Sequence, residues 1–170
     1  MRSMLLLALL LVAACGDSTN PTDTYSMTGT WTLTTSLRGI ETRPDGDEEL
    51  PWACGDALGE SVTEGRATTV TLVDEGGSVA GTNAGTLTCY WSWIGMAAQV
   101  DWSGPITGSR RGNSVRMEAV NTDAMLRGPG LCSFSGNMTA ETAANGTVAC
   151  DAANLGYGVQ LVGTWTATRN

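Results

Sequence analysis

From residue 27 onward the chain alternates polar and apolar positions in short stretches separated by turn residues. Arg66-Ala67-Thr68-Thr69-Val70-Thr71-Leu72-Val73 runs into Asp74-Glu75-Gly76-Gly77 and returns as Ser78-Val79-Ala80-Gly81-Thr82. A period of two puts alternate side chains on opposite faces of an extended strand, and paired glycines accept the backbone angles of a tight reversal, so this stretch predicts a β-hairpin. The same design recurs at 105–118, with its turn at 109–113, and again at 133–150. Residues 86–93, whose odd positions are apolar, and 99–102 add two strand candidates. With 29–35 and 159–168 the count reaches eight or nine strands, and no segment carries the 3.6-residue period of a long amphipathic helix.

An internal echo bears on how such strands assemble. Met27-Thr28-Gly29-Thr30-Trp31-Thr32 near the start reappears as Leu161-Val162-Gly163-Thr164-Trp165-Thr166 at the end. Alternation places Trp31 and Leu33 on one face of the first strand, and Leu161, Gly163 and Trp165 on one face of the last. Pairing of these two strands closes the sheet and removes its edges. The expected fold is therefore all-β, a single antiparallel meander of about eight strands closed into a barrel, with a flattened two-sheet sandwich as the alternative. The stretch 38–64 breaks the rhythm and is expected to be a long connection lying across the barrel mouth, with one helical turn near 56–59.

The amino-terminal residues are of a different kind. Met1-Arg2-Ser3-Met4 and the apolar run 5–14 have the charged start, greasy middle and small-residue end of a secretory signal, and the run falls far short of the ~20 residues that span a bilayer. Val12-Ala13-Ala14-Cys15 resembles the bacterial lipobox, in which small residues precede a cysteine. That resemblance implies a diacylglycerol on the Cys15 sulfur, cleavage before Cys15, and acylation of the new amino terminus; several acyl chains hold where one binds only reversibly. Residues 16–23 are small and polar, as a tether requires. The expected organisation is a signal peptide at 1–14, a lipidated cysteine and flexible tether at 15–26, and a β-barrel domain at 27–170. The place after the cysteine is Gly16 rather than aspartate, which by the same resemblance favours the outer membrane of a bacterial envelope.

Composition then removes whole classes of chemistry. The formal net charge is −8, which argues against nucleic acid as a partner. The chain has no histidine and no lysine, so Ser-His-Asp or Cys-His nucleophiles, histidine metal sites, Schiff bases and a P-loop lysine are excluded. No cofactor, metal or enzymatic activity is expected. Beyond Cys15, the cysteines Cys54, Cys89, Cys132 and Cys150 form an even set in an exported chain and read as two disulfides. Three pairings are open. Cys132 with Cys150 is preferred because they fall on successive strands, and Cys54 with Cys89 would pin the long connection.

A meander opening on Gly29-Thr30-Trp31, with a long first connection and a last strand returning to the first, resembles the calycin group of lipocalins and avidins. The glycine, one residue, tryptophan motif occurs twice, and Arg169 is the counterpart the resemblance implies for the arginine that stacks on the motif tryptophan. The chain lacks the carboxy-terminal helix of lipocalins and the biotin contacts of avidins, so no family binding residue is carried over. Small bacterial lipocalin-like lipoproteins are the class it is most similar to.

Against that frame the six tryptophans stand beside a single phenylalanine. Most are expected as core, with Trp91 and Trp93 as the candidate ligand contacts and Trp102 as a further lining residue. The acidic stretch 45–49 lacks the spacing of a calcium loop, Arg110-Arg111 falls in a turn and is expected to face solvent, and Asp101 and Glu118 show no spacing of a glycosidase pair. The expected function is a membrane-anchored barrel, without catalysis, that binds a small apolar ligand; the alternative is a filled barrel serving as a structural or protein-interaction module with an envelope partner, and a carboxylate-based enzyme is the least expected reading.

Overall fold

The computed structural model describes residues 25–42, 49–59, 62, 64–91, 95–122, 129–154 and 157–170. It contains strands β1 (Gly29–Thr42), β2 (Glu49–Gly55), β3 (Ala67–Glu75), β4 (Ser78–Ala84), β5 (Thr86–Trp91), β6 (Met96–Asp101), β7 (Gly104–Arg111), β8 (Ser114–Val120), β9 (Leu131–Ala140), β10 (Ala143–Asn154) and β11 (Tyr157–Arg169). Among the described residues the helical content is one 3-10 turn, Asp56–Leu58. No described helix is long and apolar enough to cross a membrane.

Eight strands, β1, β3, β4, β7, β8, β9, β10 and β11, pair antiparallel in that order, and β11 returns to β1 from Trp31↔Arg169 through Glu41↔Val159. The sheet is thus a closed barrel and not a sandwich. The two Gly-Thr-Trp segments lie on the strands that make the closure. Alternation is carried through: along β3 and β8 every second residue is buried, and the inward side chains merge into one core.

Two features depart from a simple meander. The stretch 38–64 is not simply a connection: β1 runs on to Thr42, and Glu49–Gly55 pairs back on it as β2 with Leu37↔Cys54 and Gly39↔Trp52 in register. Residues 43–48, between these two strands, lie outside the described residues. β1 therefore changes partner along its length, pairing with β3 from Gly29 to Thr34 and with β2 from Ser36 to Thr42.

The second departure is a bent ribbon. β4 pairs with β7 from Ser78↔Ser109 to Asn83↔Gly104, and β5 pairs with β6 from Thr86↔Asp101 to Trp91↔Met96, all in one continuous register. The ladder is interrupted at Gly85 and Trp102. Gly85 sits at φ 149°, a backbone angle that a side chain would strain, and there the outer half of the ribbon leaves the barrel to pair with β2. β2, β5 and β6, with the far ends of β1, β10 and β11, form a collar that prolongs the wall at one end. Disulfides Cys54–Cys89, between β2 and β5, and Cys132–Cys150, between β9 and β10, staple collar and barrel wall.

Candidate functional site

The barrel has two unlike ends. At the end where β1 begins, residues 25–28 cross the opening and Met27 drops into the core, 1% exposed. The Trp31 indole Nε1–H donates to the Met27 carbonyl at 2.8 Å. The Arg169 guanidinium lies 4.8 Å from the centre of the Trp31 ring and donates to the Ser26 carbonyl. The stacking that the calycin resemblance implied is therefore made across the β1–β11 seam, to the first motif tryptophan.

Asp74 fastens the same end. Its carboxylate accepts from Arg110 Nε at 2.5 Å, from the Met27 N–H at 3.0 Å and from the Gly77 N–H at 3.2 Å. Burial alone raises the carboxyl pKa. The hydrogen bond from Arg110, the Met27 N–H, the Arg110 charge and the Gly77 N–H outweigh it, so the pKa lies below the ordinary aspartate value. Arg110 is buried in this ion pair, contrary to the expectation that it faces solvent; Arg111 does face solvent. The alternating strand decides which of two adjacent arginines points inward.

Toward the collar the interior carries a ring of unlike composition. Trp165 on β11 stands opposite Thr35 on β1. Next along β1, Leu33 stands opposite Thr68 on β3. Val70, two residues on from Thr68, faces Asn83 on β4, whose Nδ2 donates to the Trp102 carbonyl at 2.9 Å. The Trp102 ring stacks on Phe134 of β9, centroids 6.4 Å apart, and Phe134 meets the Trp165 ring edge-on at 6.0 Å, which completes the circuit.

The six side chains that make this belt, Thr35, Thr68, Asn83, Trp102, Phe134 and Trp165, are all buried. Five carry a polar atom with no protein partner: Thr35 Oγ1, Thr68 Oγ1, Asn83 Oδ1, Trp102 Nε1 and Trp165 Nε1. Each such atom costs about 1–3 kcal/mol when nothing satisfies it, and native interiors keep few of them. Five of them gather around the barrel interior, on β1, β3, β4, β11 and at the joint between β6 and β7.

Below the belt, Trp31, Leu33, Val70, Leu72, Val115, Met117 and Ala167 fill the sealed half. Above it, Leu37, Trp52, Leu87, Leu161 and the two disulfides line the collar side, with Ala98 and Val100 packed against them. An open groove of about 410 Å³ on β7–β9 is lined by the outward side chains of Thr107, Ser109, Arg116 and Glu118 and also by Met117 and Phe134.

The residues singled out from sequence fare differently. Trp102 belongs to the belt. Trp91 lies on β5 in register with Trp52 and Met96 at the collar, and nothing is described of its side chain; Trp93 lies outside the described residues. Cys15, with the signal and most of the tether, also lies outside them, as does most of the acidic stretch 45–49. Asp101 and Glu118 are both exposed and do not converge. Among the described residues no group of three or more His, Cys, Asp or Glu is placed to hold a metal ion. Thr35, Thr68 and Asn83 escaped notice, yet each is a polar residue at an inward position of an alternating strand: Thr35 follows Trp31 and Leu33, and Asn83 follows Val79.

Fold and interior together define a closed antiparallel β-barrel of eight strands with a collar of three more. No protein-family model matches the chain, and no curated protein matches it. Among solved structures, the S-type phycobiliprotein lyase from Guillardia theta is similar over 85% of this chain and 88% of that one, at a TM-score of 0.37 and 7% identity.

Proposed function

We propose that this chain is a lipid-anchored protein of the bacterial envelope whose barrel holds a small ligand within its collar end. The observation that carries the binding is the belt of unpartnered buried polar atoms, ringed by aromatic side chains, between a sealed end and a collar. Support for the anchor comes from the lipobox-like 12–15 segment. The tether would enter at the sealed end, where residues 25–28 lie, and would leave the collar directed away from the membrane. The protein acts by binding, with no catalytic step; the chain offers no histidine or lysine for one.

Two measurements on protein from its own membrane test this reading. Intact mass of the mature chain should show acylation at Cys15, and Cys15→Ser should move the protein to the soluble fraction. Native mass spectrometry should retain a small molecule that denaturation releases. An unmodified Cys15 refutes the anchor; a bare mass under native conditions, at every preparation, refutes the ligand.

A second reading, an interaction module for an envelope partner, is favoured by the outward side chains of Ile40 and Val162. They lie on adjacent strands β1 and β11 and are each more than half exposed. Ile40→Ser with Val162→Ser should then abolish co-purification of a partner while the ligand-bound mass persists.

A further inference from the structure

We propose that the belt selects a small neutral molecule that carries both a hydrogen-bond acceptor and a donor on a compact apolar body, the chemistry of a lactam or cyclic amide. This rests on the reading of the barrel as a ligand-binding module and names the class of ligand that the interior takes.

The argument is an inventory of what the belt offers. The indole N–H groups of Trp102 and Trp165 donate and cannot accept, so the ligand presents an acceptor to them. Asn83 Oδ1 accepts, while one Nδ2 hydrogen is already given to the Trp102 carbonyl, so the ligand also presents a donor to Oδ1. The hydroxyls of Thr35 and Thr68 rotate to suit either. A pure hydrocarbon leaves all five atoms as they are, and so gains the apolar contact without relieving the polar cost. An ion is disfavoured for a different reason. None of the six belt residues carries a charge, and the buried ion pair of Asp74 and Arg110 is at the sealed end and already matched, so a bound charge would be desolvated with no counter-charge. The stacked Trp102 and Phe134 rings and the edge-on Trp165 present apolar surface to the ligand body.

The indole N–H signals of the purified full-length protein read the proposal directly. Trp31 is an internal control, because its N–H is already bonded to the Met27 carbonyl. Pyrrolidone, valerolactam and caprolactam are titrated against cyclopentane, cyclohexane and cycloheptane, with 6-aminohexanoate as the charged counterpart of caprolactam. The Trp102 and Trp165 N–H resonances, assigned from Trp102→Phe and Trp165→Phe, should move with at least one lactam while that of Trp31 stays. That lactam should bind about 10-fold or more tightly than its hydrocarbon, the discrimination expected when one hydrogen bond is realised only by the polar ligand.

Thr68→Val gives a second handle that does not depend on an aromatic substitution folding. Removing an unpartnered hydroxyl should leave the ligand-free protein as stable as the parent or more so, and should weaken the lactam several-fold. Equal or tighter binding of the hydrocarbons, or of 6-aminohexanoate, overturns the assigned class and leaves the ligand-binding reading intact. If no probe moves either N–H and both exchange magnetisation with water alone, the belt is a hydration site and both readings fall.

Discussion

Replacing Asp74 by asparagine keeps the side chain's size and removes its charge, and the structure says how much that should matter. The carboxylate is 1% exposed, is paired with Arg110, itself 7% exposed, and accepts from two backbone N–H groups. In the variant the buried guanidinium loses the Asp74 charge that faces it, and one of the three donors that faced an oxygen now faces the asparagine NH₂. Breaking a buried pair from one side costs about 3–5 kcal/mol. For a domain of this size that lowers the melting temperature by about 10 °C or more. Arg110→Met should cost a comparable amount, and the double variant Asp74→Asn with Arg110→Met should lose much less than the two losses added, because the pair is then removed from both sides. Thermal unfolding at pH 7, with disulfides kept oxidised, measures all four proteins. Acid supplies a second check whose sign is fixed by the lowered pKa. The pair's contribution is fully present above the ordinary aspartate value of 3.8 and is lost as pH falls through the lower folded-state value. The gap between parent and Asp74→Asn should therefore be constant above about pH 4 and should close below it. A variant within 1 kcal/mol of the parent at pH 7, or a gap that acid leaves untouched, would refute the reasoning.

The remaining predictions concern the staples and the seam. With sequence separations of 35 for Cys54–Cys89 and 18 for Cys132–Cys150, chain-entropy arithmetic assigns about 4 and about 3 kcal/mol to the two disulfides. Serine pairs at each site, compared by denaturant titration, should fall in that order. Loss of Cys54–Cys89 should also speed amide exchange in β5 and β6, which reach β2 through a ladder only from Trp52↔Trp91 to Cys54↔Cys89, while β9 and β10 stay protected; uniform exchange would count against a separable collar. Arg169→Ala should cost about 1–3 kcal/mol through loss of the stack on Trp31 and the bond to the Ser26 carbonyl, with only partial rescue by lysine, and an unchanged denaturation midpoint would remove that seal from the account. Gly163→Ala should destabilise by about 1–3 kcal/mol because its Cβ would run into the Ser36 carbonyl oxygen across the β1–β11 seam, and a neutral result would refute that register.

What could be read without coordinates followed from the strength of each local signal. Strict alternation in 66–82 and 114–118 is enough to specify β3, β4 and β8, since a slip of one residue would turn Val70, Leu72, Val115 and Met117 outward. The repeated Gly-Thr-Trp pointed to closure because both copies put tryptophan on the inward face of a terminal strand. The collar was not legible, for a physical reason: whether 38–42 pairs with 49–55 depends on β5 arriving on the far side, and that contact is set by a bend at Gly85, distant in sequence. The belt was only half visible. Trp102 announced itself by size, but Thr35, Thr68 and Asn83 look like ordinary strand residues until the inward parity of each strand is known. Trp91 stands out in sequence as a large residue in a strand pattern, a signal that cannot distinguish its collar position on β5 from an interior one.

The coincidence of belt and backbone irregularity bears on how the interior came to hold polar groups at all. Thr35 is the residue at which β1 passes from β3 to β2, between Thr34↔Ala67 and Ser36↔Gly55. Thr68 is the second residue of β3, next to that exchange, while Asn83 and Trp102 flank the interruption at Gly85. An eight-stranded barrel with an unbroken ladder has an interior just wide enough to be filled by its own side chains, as the half around Trp31, Leu72 and Val115 is. Where the ladder changes partner or bends, strands splay and local twist rises, which is why such breaks recur beside binding sites. The departures that add a collar to the barrel thus fall at the level of the unpartnered atoms. The polar ring lies at the joint, and not in the regular half, where an inward threonine or asparagine would only weaken the core.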